Sequence, residues 1–261
     1  MSILPAALRA AQSANYPKWL LAAIVGWFAI WAIRPPHPQD FFLEHVLTVL
    51  GVAFLCATFR RFRLSNVSYT ALFLFTALHI VGAHYTYSEV PYERWIAGLA
   101  GAVGVEDFDL HRLLGWQRNH YDRLVHFSFG LLMAYPVREV FVRVARVRGF
   151  WAYYLPLDVV MSMSMLYELL EWVIAVVVGG DVGQSYLGSQ GDVWDAQKDM
   201  ALATLGGAIA MLCVAVVNWK YQRDFAREFG ESLRAADSVP LGEAKLRELL
   251  VDRPRAGDGG T

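Results

Sequence analysis

The sequence is poor in cysteine and has no dense tract of basic residues, and each absence excludes a class of protein. Only Cys56 and Cys213 occur, both inside apolar segments, so a disulfide framework is excluded. The formal net charge is −1, and without a basic cluster we expect no nucleic-acid partner. HExxH, Walker, dinucleotide-binding and GxSxG motifs are also missing, so none of those chemistries is supported.

What the sequence does contain is apolar surface, with 56% hydrophobic and 14% aromatic residues, including nine Trp. Six segments approach the roughly 20 apolar residues that cross a bilayer core. They run near 18–34, 41–59, 67–87, 124–144, 151–178 and 199–219. This pattern predicts an all-α, polytopic membrane helix bundle with about six transmembrane helices.

The distribution of Lys and Arg predicts the orientation of these helices. Basic residues are about twice as frequent on the flanks that hold Arg60, Arg61 and Arg138 as on the opposite flanks. Both termini are therefore predicted to be cytoplasmic, with an N-terminal segment at 1–17, a membrane domain at 18–219 and a tail at 220–261. The largest outer loop is predicted at 88–123, and its WIAGLAGAVG stretch is expected to form a short helix on the membrane surface.

A polar stretch, RNHYDRLVHFSFG, opens the fourth predicted span. Asp122 and His126 lie four residues apart and share one helix face, and a carboxylate beside an imidazole can transfer protons or hold a metal. All seven histidines fall in the predicted outer half of the protein. The stretch therefore predicts a polar site near the outer leaflet.

Two later segments add acids to the same side. Glu168 and Glu171 share a face of the fifth span, where each charged acid costs about 2.5 to 3.5 kcal/mol on insertion scales. Asp192, Asp195 and Asp199 precede or open the sixth span and form one stripe if that helix begins early. Capping needs one aspartate, so three indicate a further role.

These residues divide into three predicted roles. The catalytic candidates are His126, Asp122, Glu168, Glu171 and Asp199, and the ligand-binding candidates are Arg118, Arg123, His120 and Tyr85. The metal-ligand candidates are His84, His126, Asp195 and Asp199, whose oxygen and imidazole donors suit a divalent metal ion. A metal site, an acid and base site, and a proton path all remain open.

Four motifs carry a resemblance to a known family: GAHYTYSEVP, RNHYDRLVHF, YELLEW and GDVWDAQKDM, in this order. Together they resemble the YjdF-like family of bacterial inner-membrane proteins, whose domain has no known function. The resemblance covers roughly residues 20–220 and implies a multi-pass protein of the bacterial inner membrane. It implies no particular activity.

A more distant likeness is to the VanZ-like family, which is associated with resistance to glycopeptides. Asp122, Arg123, His126, Glu168 and Asp199 are similar to that family's polar pattern, although Arg123 stands where Lys is usual. The likeness implies that these residues form one site.

Three functions are therefore weighed. The first is an enzyme or binding protein at the outer leaflet, acting on a lipid or lipid-linked head group, with membrane lipids as partners. The second is a proton-coupled transporter in which Glu168 and Glu171 titrate. The third is a non-catalytic scaffold or envelope-stress protein whose polar network fixes helix packing.

Overall fold

The computed structural model describes residues 15–179, 189–234, 242–243 and 248–250, and within these ranges it is helical without strands. The predicted all-helical fold is confirmed. The longer helices are α1 (Tyr16–Trp31), α2 (Pro38–Thr58), α3 (Asn66–His84), α6 (Tyr121–Arg143), α7 (Trp151–Val178) and α8 (Asp195–Tyr221). Shorter helices are α4 (Tyr92–Ala102), α5 (Leu110–Leu114) and α9 (Phe225–Ser232).

Four of these helices, α2, α3, α7 and α8, are long and apolar enough to cross a membrane. The other two predicted spans coincide with α1, which has 16 residues, and with α6, which has charged residues near both ends. The membrane class of the protein is confirmed, whereas the count of six spans and the orientation stay predictions. The division into an N-terminal segment, a membrane domain and a tail also stays a prediction.

Helix α6 lies at the centre of the bundle and packs against α3, α7 and α8, while α1 and α2 pack against α3. We call the end of the bundle where α6 and α8 begin the site end.

The predicted stripe of three aspartates requires an early start of the last long helix. α8 begins at Asp195, so Asp192 precedes the helix and is not part of a helical stripe.

The closest helix contact is the crossing of α6 and α8. A Cβ atom at Gly130 would lie only 1.8 Å from the carbonyl oxygen of Ala203, and one at Gly206 would lie 2.2 Å from that of Phe127. Only glycine permits this approach of two backbones. The crossing lies one turn from His126 and Asp199, so it brings these side chains together.

Two parts of the predicted architecture lie at the edges of the bundle. The WIAGLAGAVG stretch forms most of α4, so the predicted helix is present, and its position on the membrane surface stays a prediction. One helix of the tail is α9. Residues 1–14, most of the predicted N-terminal segment, and 235–241, 244–247 and 251–261 of the predicted tail lie outside the described residues, as does 180–188 of the loop before α8.

Candidate acid and histidine site

Paired arginines and aspartates border the site at the start of α6 and α8. Both terminal nitrogens of Arg118 donate to Asp195, from Nη1 to Oδ1 at 2.6 Å and from Nη2 to Oδ2 at 3.1 Å. Arg123 Nη2 donates to Asp192 Oδ2 at 2.6 Å and lies 3.3 Å from Asp195 Oδ1. Lys198 Nζ also donates to Asp192 Oδ2, at 2.5 Å. These charge-assisted bonds fix the segment before α8 against the start of α6.

The hydrogen bonds, burial and charges of the residues at this border shift the pKa values of Asp192 and His120. The hydrogen bond from Lys198, with those from the backbone N–H of Trp194 and from Arg123, lowers the pKa of Asp192 to about 2. Partial burial, followed by the positive charges of Arg123 and Arg118, lowers the pKa of His120 below its usual 6.5. Asp192 is therefore ionised and His120 neutral at pH 7.

Behind this border lies a group of four side chains that we call the central cluster: Asp122 and His126 on α6, Glu168 on α7 and Asp199 on α8. His126 Nε2 lies 3.6 Å from Asp122 Oδ1 and 3.4 Å from Glu168 Oε1. One ligand atom each from Asp122, His126 and Asp199 lies within 4.8 Å of the others. Three helices thus direct oxygen and nitrogen atoms towards one point.

Two oxygens of the central cluster are buried without a hydrogen-bond partner among the described residues, Oε1 of Glu168 and Oδ1 of Asp199. The ion pairs with Arg and Lys in the same part of the chain involve Asp192 and Asp195 rather than the central cluster. Buried, unpartnered carboxylate oxygens are costly, and a cation would compensate them. Asp122, His126 and Asp199 can therefore hold a metal ion, and their donor set fits a hard or borderline divalent ion.

An acidic cavity of about 640 Å³ opens beside the central cluster. Asp122, Glu168 and Asp199 line it, together with Glu171, which the sequence placed among the catalytic candidates. Asp192 and Asp195 also face it, so most of the predicted acids meet at one cavity. We call it the acidic cavity.

A second group of polar side chains lies on the other side of Asp122. The sequence pattern does not predict that these side chains meet. Tyr167 Oη donates to Glu44 Oε2 at 2.7 Å, and Tyr87 Oη lies 3.4 Å from the same oxygen and 2.7 Å from His79 Nδ1. These side chains come from α2, α3, α7 and the turn after α3. Glu44 could have been found from sequence, because a carboxylate within an apolar helix is itself a functional signal.

The position of Tyr87 depends on an unusual turn. Thr86 and Tyr87 both have positive φ, 51° and 54°, which costs roughly 1 to 2 kcal/mol for each non-glycine residue. The turn folds the Tyr87 ring onto Gly82, where a Cβ atom would lie 2.4 Å from it. Nothing in the sequence pattern indicates such a turn, so this contact could not be predicted.

The remaining predicted site residues contact groups outside the central cluster. His84 donates from Nδ1 to the carbonyl oxygen of Trp31 at 2.6 Å, and Tyr85 packs against His84 with ring centroids 4.5 Å apart. His120 packs on Trp116 and contacts Arg123. The structure thus groups His84 and Tyr85 with aromatic residues, and their predicted roles, like those of Arg118 and His120, stay predictions.

The fold and the site together define a class: a multi-pass helical membrane protein with a buried cluster of acids and a histidine at one end. Residues 16–220 match the family described as "Predicted membrane protein (DUF2238)", and the chain belongs to that family. It is also similar to the inner membrane protein YjdF of Escherichia coli (strain K12), with 36% identity over 184 residues. That alignment covers 70% of this chain and 81% of the relative.

These comparisons confirm the predicted YjdF-like family and the predicted location. The protein is a multi-pass protein of the bacterial inner membrane. No solved structure matches the chain. The likeness to the VanZ-like family stays a prediction.

Proposed function

We propose that the protein binds or processes the polar head group of a lipid or lipid-linked molecule at a divalent cation held by the central cluster. The observation that carries this proposal is the pair of buried, unpartnered oxygens of Glu168 and Asp199 beside His126 Nε2. Acids without a compensating partner are retained in a membrane protein for a ligand or a reaction. The predicted divalent metal ion is the ligand that suits these donors.

The proposed role of each residue follows from the oxygen or nitrogen atoms that it can offer to a metal ion. Asp122, His126 and Asp199 would hold the ion, with Glu168 as a further oxygen ligand. When bound, a divalent ion supplies a positive charge that polarises a phosphate or carbonyl oxygen of the head group. Glu171 lines the cavity without belonging to the set of ligands, so it can exchange a proton with the bound group.

The arginines contribute by position. Arg118 and Arg123 hold Asp195 and Asp192 at the border of the acidic cavity, and their positive charges neutralise these two acids. A head group that carries phosphate would meet the same guanidinium groups as it enters.

The surroundings of the acidic cavity favour an amphiphilic ligand. One wall carries the acids, whereas the α7 wall also carries Met165, Leu169 and Trp172. These three side chains are exposed on a helix that is long and apolar enough to span the membrane. A ligand in this cavity therefore touches both polar groups and lipid, as a lipid head group does.

Elemental analysis of the full chain, purified in detergent, tests the cation. Wild type is expected to retain about one divalent ion per chain, and Asp199→Asn and His126→Ala are expected to lose it because each removes one ligand. Asp192→Asn is the matched control, since Asp192 lies outside the central cluster and should leave the metal content unchanged. Equal metal content in all four proteins, or none in wild type, would contradict the proposal.

A proton-coupled transporter is the second candidate, and the hydrogen-bonded group of His79, Tyr87, Glu44 and Tyr167 favours it. This group continues the polar side chains from Asp122 towards α2 and α3. Proton flux into proteoliposomes should then fall in both Glu168→Gln and Glu171→Gln. Flux that survives in both variants would remove this candidate.

A further inference from the structure

A second cavity, with a volume of about 480 Å³, lies between α2, α3, α6 and α7. We call it the apolar cavity. Glu44, His79, Tyr87, Asp122, His126 and Tyr167 line its site end, and the rest of its lining is mainly Leu, Val, Phe and Met. Thr48, Thr76 and Ser164 also line it, but its ionisable side chains all lie at the site end, so the cavity is amphipathic.

The shape of the apolar cavity suits a hydrocarbon chain. Its α2 wall runs from Glu44 to Leu55, a distance of about 16 Å along the helix. With a volume of about 480 Å³ along that wall, the cavity can hold an extended chain that lies parallel to α2. Beyond this point, Val52, Leu55, Leu72 and Thr76 also line a further apolar cavity of about 230 Å³, so the space continues for a longer chain.

The apolar cavity opens sideways towards the bilayer. Leu47 on α2 and Leu166 and Leu170 on α7 line it, yet they are 53%, 48% and 47% exposed. α2 packs on α3. The hydrogen bond from Tyr167 on α7 to Glu44 on α2 joins α2 to α7 at the polar end of the cavity. A chain can therefore enter between α2 and α7 directly from the membrane.

The two cavities meet at Asp122, which lines both. We infer that the ligand is an amphiphile whose hydrocarbon chain, acyl or polyprenyl, occupies the apolar cavity while its head group lies at the central cluster. The position of the head group rests on the proposed function. The position of the chain rests on the apolar cavity itself.

Gly51 offers a way to fill the apolar cavity without disturbing the helix packing. It lines the cavity, and a Cβ atom added there meets nothing within 4 Å. It also lies about 10 Å along α2 from Glu44, so a larger side chain leaves the polar end in place. Gly26 on α1 is the matched control, because a Cβ atom there also meets nothing within 4 Å and Gly26 does not line the cavity.

The experiment is photolabelling of the full chain in vesicles of phosphatidylethanolamine and phosphatidylglycerol. The probe is palmitoyl lysophosphatidylglycerol with a diazirine near the end of its chain, and labelled peptides are located by mass spectrometry. Wild type and Gly26→Phe are expected to carry label at Leu55, Leu72 and Met133. Gly51→Phe should lose this label, and Gly51→Leu should lose part of it.

Label that persists equally in Gly51→Phe would overturn the inference, provided that the variant unfolds at the wild-type temperature. If Gly51→Phe does not fold, equal labelling in wild type and Gly51→Leu overturns it instead. Competition by unlabelled lysophosphatidylglycerol or by a polyprenyl phosphate then distinguishes an acyl from a polyprenyl ligand. The metal content of the same samples separates the two proposals. If wild type retains its metal but carries no label in the apolar cavity, only the inference about the hydrocarbon chain is refuted. If wild type carries the label but no metal, only the proposed cation site is refuted.

Discussion

Two glutamates of the same bundle, Glu139 near the end of α6 and Glu168 on α7, differ in whether their carboxylate oxygens accept hydrogen bonds. Glu139 accepts hydrogen bonds from the backbone N–H of Ser65 at 2.9 Å and from Ser68 Oγ and Arg143 Nη1, each at 2.5 Å. Glu168 Oε1 lies 3.4 Å from His126 Nε2 and is buried without a hydrogen-bond partner in the described part of the chain.

The difference shows how to separate a structural acid from a candidate functional one. Glu139 joins the start of α3 to the end of α6, and its oxygens are used in doing so. Glu168 has the same carboxylate oxygens, but its Oε1 lies beside His126 Nε2 and accepts no hydrogen bond. Residue type and burial are shared by both residues, so the decisive property is whether the acceptors are satisfied.

The largest effect is expected where the site is assembled, at the crossing of α6 and α8. Gly130→Ala should lower the free energy of unfolding by about 3 kcal/mol, because the added Cβ would overlap the carbonyl oxygen of Ala203 and the helices must move apart. Thermal unfolding in detergent measures this loss. The metal content should also fall, since His126 and Asp199 separate.

Gly26→Ala is the control for that substitution, because its Cβ enters open space. It should leave the metal content unchanged and should not lower the unfolding temperature, because Ala is favoured over Gly inside a helix. A Gly130→Ala protein as stable as Gly26→Ala would contradict the assembly of the site by this crossing.

The next effect concerns the structural acid. Glu139→Ala should cost about 2 to 3 kcal/mol, because it leaves the Ser65 N–H and the Arg143 guanidinium without their acceptor. Denaturant unfolding of the purified chain measures the loss, and Glu139→Gln should lose less because an amide oxygen still accepts. The metal content should stay at the wild-type level in both variants, and its loss would remove the distinction between the two ends of the bundle.

A smaller effect of opposite sign is expected at Glu168. With a chelator present, Glu168→Gln should raise the free energy of unfolding by about 1 kcal/mol, because it removes a buried acid that has no partner. The same variant should bind metal more weakly. Destabilisation as large as that of Glu139→Gln would show that Glu168 is satisfied in the folded protein and has a packing role.

The smallest effect is the pH dependence due to Asp192. Its pKa is about 2 in the folded protein and about 3.8 when unpaired, so its pairing stabilises the fold fully above about pH 4. This contribution is lost as the pH falls towards 2, because the unfolded chain then binds the proton more readily. Unfolding temperatures between pH 2 and pH 5 should fall less steeply in Asp192→Asn than in wild type, and parallel curves would contradict the pairing.

Much of the fold could be predicted from the sequence because the physical signals are local. Apolar length located the long helices to within a few residues, and the spacing of Asp122 and His126 located one face of the site. These inferences needed only apolar length and periodicity.

The side-chain contacts that could not be predicted from the sequence depend on which helices are neighbours in the fold. Glu44 and Tyr167 are 123 residues apart, and their hydrogen bond exists because α2 and α7 flank the same cavity. Tyr87 reaches His79 through two residues of positive φ, a conformation that no sequence preference indicates. The hydrogen bond of His84 to the carbonyl oxygen of Trp31 likewise joins two residues 53 positions apart, and the predicted role of His84 as a metal ligand stays a prediction.

The central claim is that His126 and the acids around it form a cation site, and pulsed electron paramagnetic resonance with Mn²⁺ as the probe tests it most directly. The purified chain loaded with Mn²⁺ should show a coupling to ¹⁴N from the His126 imidazole. That coupling should be absent in His126→Ala, whereas Asp192→Asn should keep it. Mn²⁺ that binds without a nitrogen coupling, or equally well to Asp199→Asn, would contradict the site described here.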